Sequence, residues 1–87
     1  MAHNGLGIVI SKAAVIGNNC QIYQNVTIVA GKDGYPIIGN NVTIYAKSEI
    51  IGNITIGDNA VIGACSFVND NVMPNEIVGG VPAHRIR

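Results

Sequence analysis

The sequence predicts an all-β chain wound as a parallel β-helix of about four triangular coils, and three observations carry that prediction. The first is composition: fifteen Ile and ten Val stand against a single Leu, Leu6, with eleven Gly and eleven Asn among 87 residues. β-Branched side chains punctuated by Gly and Asn favour short strands and tight turns over helices. The second is a repeat of six, which runs Ile10, Ile16, Ile22, Ile28 and, after one break, Ile38, Ile44, Ile50, Ile56, Ile62 and Val68. The third lies four residues after most of these positions, where small or β-branched residues recur: Ala14, Cys20, Val26, Val42, Ser48, Ile54, Ala60, Ser66 and Val72. A period of 3.6 scatters these Ile around a helix, and unbroken alternation leaves no room for turns. A short strand and a corner in each unit does fit, with three units closing one coil of roughly 18 residues.

Taken in chain order, the elements stack into three columns. Ile10, Ile28, Ile50 and Val68 belong to one wall, Ile16, Ile38 and Ile56 to the second, and Ile22, Ile44 and Ile62 to the third. Small residues at the fourth position let the walls approach, and β-branched residues suit a pleated wall. Gly17, Gly39, Gly57 and Gly63 directly follow column residues, commonly with Asn or Asp next, and are expected to make the corners with positive φ. Between Ile28 and Ile38 the spacing is ten rather than six, after which the register resumes unshifted. Four residues are therefore extruded as a loop within residues 31–36. Loops held on rigid walls are where functional residues concentrate, so Gly31, Lys32, Asp33, Gly34 and Tyr35 are candidates. The repeat forms one unit, residues 1–79, followed by a turn, Gly80-Val81-Pro82-Ala83, and a solvated tail over residues 80–87.

Several classes are excluded. Five basic residues balance five acidic ones, which leaves no basic surface for nucleic acid. The longest uncharged stretch carries Gly17, Asn18, Asn19, Gln21, Gln24 and Asn25, polar groups that lipid does not satisfy, so no membrane partner is expected. The first residues lack a basic segment followed by an apolar core, and Cys20 and Cys65 lack paired spacing. Both point to a cytoplasmic chain with reduced thiols. Cys20 is expected to pack inward, and Cys65 to lack the basic neighbours of a reactive thiolate.

The hexads, the segment His3-Asn4-Gly5-Leu6-Gly7-Ile8-Val9-Ile10, the run Tyr23-Gln24-Asn25-Val26-Thr27-Ile28 and the ending Gly80-Val81-Pro82-Ala83 together resemble the hexapeptide-repeat acyltransferases. Serine O-acetyltransferase and its polysaccharide-linked relatives form the most similar branch. The resemblance implies a left-handed coil and a trimer that binds acetyl-CoA between subunits. It also implies transfer of acetyl to the hydroxyl of serine or a small sugar-like acceptor, without a metal. By the same resemblance His3 is the general base: a neutral imidazole takes the hydroxyl proton during attack on the thioester and returns it to the departing thiolate. Tyr35-Pro36 stands where serine acetyltransferases end the loop in His-Pro, and this ending resembles the polysaccharide-linked branch. Lys47 and Ser48, one coil beyond the loop, are candidates for the pantetheine arm, and Arg85 for the phosphates of CoA.

Two other functions compete with this one. The γ-class carbonic anhydrases share the architecture but need three histidines per zinc, and this chain has two. A truncated, inactive β-helix serving as a trimeric scaffold or binding module is the alternative. An uncapped sheet edge at the first coil and a small core both call for assembly, as a homotrimer or as two trimers meeting through their N-terminal ends.

Overall fold

The computed structural model describes residues 7–87. Among these residues twelve short strands follow in order: β1 (Val9–Ile10), β2 (Val15–Ile16), β3 (Gln21–Ile22), β4 (Thr27–Val29), β5 (Ile37–Ile38), β6 (Thr43–Ile44), β7 (Glu49–Ile51), β8 (Thr55–Ile56), β9 (Val61–Ile62), β10 (Phe67–Val68), β11 (Ile77–Gly80) and β12 (Ala83–Arg85). Through β10, every third strand joins the same wall. The walls are β1-β4-β7-β10, β2-β5-β8 and β3-β6-β9-β11, with β12 on the outer edge of the third.

Register within the walls is the one the repeat predicts. Ile10, Ile28, Ile50 and Val68 lie opposite one another in the first wall. Ile16, Ile38 and Ile56 do so in the second, and Ile22, Ile44 and Ile62 in the third. All of these pairings are parallel, so each column is a stack of like side chains pointing into the prism. Ile22, Ile28, Ile44, Ile50, Ile56 and Ile62 are fully buried, whereas Ile10 and Ile16 at the first coil are only partly covered. Fully burying a side chain of this size contributes roughly 1.5–3 kcal/mol.

The corners are built differently from the expectation. Positive φ falls not on Gly17, Gly39, Gly57 or Gly63 but two residues later, on Asn19, Asn41 and Asn59, with Asn75 in the next coil. Gly17, Gly39 and Gly57 are required by close approach instead. A Cβ on Gly17 would collide with Asn40 Oδ1, and one on Gly39 with Asp58 Oδ1. Those same oxygens extend the hydrogen bonding around the corner, since Asn18 N–H donates to Asn40 Oδ1 at 2.8 Å and Asn40 N–H to Asp58 Oδ1 at 2.7 Å. A second corner column carries positive φ at Gly7, Asn25, Lys47 and Cys65. Lys47 and Cys65 are strained there, because outside Gly and Asn the left-handed region costs about 1–2 kcal/mol.

Two departures appear at the C-terminal end. Val72 is not a fourth-position residue of the Val68 unit but bridges Ile56, and Val78 then pairs with Ile62. The last corner is therefore two residues shorter than the repeat, and Val72 and Val78 extend the second and third columns. Residues 80–87 are largely exposed but do not trail as a loose tail. β12 turns back through a cis Val81–Pro82 bond and pairs antiparallel with β11, Val78 opposite Arg85 and Gly80 opposite Ala83. Ile77 closes the end through backbone bonds to Ile86 and Arg87.

Candidate functional site

The extruded loop leaves the prism at the corner between the first and second walls. Its ends are pinned by a bridge between Gly31 and Gly34, in which Gly31 N–H donates to the Gly34 carbonyl at 2.8 Å. The loop lies flat on the next coil: a Cβ on Gly31 would come within 2.7 Å of Gly52 Cα, and one on Gly34 within 2.7 Å of Asn53 Cγ. Glycine at these two positions is thus what lets the loop seat. Lys32 and Asp33 form the exposed tip, Tyr35 is 40% exposed, and Pro36 is buried behind it.

The other candidates stand elsewhere. Lys47 is exposed at the corner between the third and first walls, separated from the loop by the length of β7. Ser48 faces inward and is fully buried. Its hydroxyl donates to the Gly63 carbonyl at 2.8 Å, as does that of Ser66 at 2.6 Å, so Ser48 is a core hydrogen-bonding residue rather than a surface contact for a pantetheine arm. Arg85 lies on β12 with Nε 3.5 Å from Glu76 Oε2. It helps line a cavity of about 340 Å³ at the end of the prism, floored by Val68, Val72 and Val78 and rimmed by Asp70, Glu76 and His84. His3 lies outside the described residues. Within one chain, then, the loop, Lys47 and Arg85 occupy three separate places.

Cys20 does pack inward, its thiol donating to the Gly39 carbonyl at 3.1 Å. Cys65 is exposed one coil after Lys47 in the same corner column. Among the described residues no three His, Cys, Asp or Glu side chains gather as metal ligands. No helix there is long and apolar enough to cross a membrane.

Sequence reasoning missed one surface feature. Tyr23 and Tyr45, each directly after a buried Ile of the third column, stack with ring centroids 5.2 Å apart and planes 26° from parallel. The signal was present, because both occupy the repeat position that is Gly in half of the other units.

Residues 35–70 match the model of the bacterial transferase hexapeptide family, described as six repeats. A serine acetyltransferase of Staphylococcus xylosus is 42% identical over 97% of this chain. The chain belongs to the hexapeptide-repeat acyltransferases. Among solved structures, Neisseria gonorrhoeae serine acetyltransferase in complex with serine superposes with a TM-score of 0.88 at 44% identity, covering 93% of this chain. The enzyme of Brucella abortus strain S19 in complex with coenzyme A does so with a TM-score of 0.85 at 38% identity, covering 90%. The left-handed β-helix of these hexapeptide-repeat proteins is the coil seen here. The chain spans 41% of the Staphylococcus relative and 34% and 33% of the two solved chains.

Proposed function

We propose that this chain transfers an acetyl group from acetyl-CoA to the hydroxyl of serine or a small sugar-like acceptor, with His3 as general base and no metal. The observation that carries the reading is the likeness, over nearly the whole chain, to serine acetyltransferases solved with serine and with coenzyme A. The His3 imidazole removes the hydroxyl proton as the oxygen attacks the thioester carbonyl. The tetrahedral adduct then collapses, the C–S bond breaks, and the imidazolium returns the proton to the thiolate, giving free CoA and the acetyl ester.

Assembly completes the site. The loop carrying Lys32, Asp33 and Tyr35, the cation of Lys47 and that of Arg85 converge when a loop from one subunit meets a corner of the next, in a homotrimer or a dimer of trimers. Outward-facing apolar side chains support such packing: Val9 is 55% exposed on the first wall, and Val15 at 49% and Ile37 at 42% are neighbours on the second. Exposed apolar residues that adjoin in this way mark protein contacts. A cytoplasmic location accords with the acetyl-CoA requirement.

Free thiol released from acetyl-CoA in the presence of serine or a sugar panel tests the proposal. His3→Ala should lower the rate at least a hundredfold. The wild-type rate should fall as pH drops below about 6.5, because the base must be neutral and the ordinary imidazole protonates there. Equal rates in the two proteins remove His3 from the mechanism. A folded chain that binds no CoA reverts to the scaffold reading.

A further inference from the structure

We infer that Tyr45 is a stacking shelf for a planar aromatic ring, and that its occupant is the adenine of CoA; the choice of occupant rests on the CoA-dependent reading above. The Tyr23 and Tyr45 rings stack along the prism axis, one coil apart. The same repeat position continues as Gly63 in the next coil and Gly79 in the one after, fixed by the pairing of Ile44 with Ile62 and of Ile62 with Val78. No side chain at the next rung therefore meets the far face of the Tyr45 ring, and Tyr45 is 43% exposed. The bare strip ends at Ile86, whose side chain lies over Gly79, where an added Cβ would meet Ile86 Cδ1 at 2.9 Å.

An aromatic ladder broken by one empty rung and closed by an aliphatic side chain accepts a flat ring, face against face. Charge narrows the class. Two of the five cationic side chains of the sequence adjoin this strip along the chain: Lys47, two residues beyond Tyr45, and Arg87, directly after Ile86. Both are exposed, whereas Arg85, opposite the inward-facing Val78, lines the cavity at the end of the prism beside Glu76. A flat base joined to phosphates matches a ring face flanked by cations, and the adenine nucleotide half of CoA has that chemistry.

Calorimetric titration of wild type, Tyr45→Leu and Tyr45→Phe with CoA, with 3′,5′-ADP and with pantetheine separates the contributions. Tyr45→Leu should weaken CoA and 3′,5′-ADP about tenfold, the scale of one lost base–aromatic stack. Pantetheine should bind it as it binds wild type, and Tyr45→Phe should match wild type throughout. Unchanged CoA affinity in Tyr45→Leu, or an equal loss for pantetheine, overturns the shelf. If wild type binds 3′,5′-ADP through Tyr45 but not CoA, the shelf stands and the CoA-dependent reading fails. If wild type binds neither nucleotide, both fail.

Discussion

The Ser48 hydroxyl donates to the Gly63 carbonyl at 2.8 Å, across one turn of the prism and in a position no solvent reaches. Ser66 Oγ donates to the same oxygen at 2.6 Å. Because two donors share one acceptor, either alone keeps the carbonyl satisfied. Ser48→Ala and Ser66→Ala should each cost about 1 kcal/mol, and the double change more than their sum, since it strands the carbonyl. Urea titrations of the four proteins measure the coupling; strict additivity would mean that the hydroxyls act independently.

Burial along the length of the prism gives a second expectation. Ile44 is fully enclosed between Ile22 and Ile62, whereas Ile10 is the first of its column among the described residues and is only partly buried. Ile44→Ala should cost about 3–4 kcal/mol and Ile10→Ala about half as much, because a cavity at the end of the prism collapses or fills with water. Thermal unfolding distinguishes them, and equal losses would show that the first coil is covered in solution.

The corners supply a third. Gly39→Ala drives a methyl group into Asp58 Oδ1 and removes the bond from Asn40 N–H, so it should destabilise by at least 2 kcal/mol. Cys65→Asn should act in the opposite direction. Its φ of 59° is one that Asn adopts readily, and Asn25, two coils earlier in this column, already does so. A gain of about 0.5–1 kcal/mol is expected, and a loss would assign the thiol a packing role at that corner.

The walls were legible in the sequence because they rest on a single periodic requirement. An inward residue must meet its own kind one coil later, and Ile22, Ile44 and Ile62 state this openly. The last coil was not legible, since the shortened corner between Val68 and Val72 breaks the count while keeping the pairing, and pairing leaves no mark on spacing. Gly39 misled in another way: glycine marks both positive φ and close approach, and only the neighbouring coil decides between them. Ser48 looked like a surface residue because Ser is equally at home outside, yet it holds a fourth position, which the same repeat makes inward. The loop was readable as an insertion, but its seat on Gly52 and Asn53 depends on a coil distant in sequence. Tyr45 was visible as an aromatic in a glycine column, and its meaning required Tyr23 to be seen beneath it.

The reversal of direction at β12 bears on how long such a molecule can grow. Each coil of a parallel solenoid is a template for the next, and nothing within the repeat itself says stop. On the third wall the strand after β11 runs antiparallel, so an arriving coil of another molecule finds a ladder of the wrong polarity. On the first wall, β10 has no such cover on its outer side among the described residues. End-to-end polymerisation is thus opposed along one side of the triangle, and deleting the strand that carries Ala83, His84 and Arg85 would turn a particle of defined length into the seed of a filament.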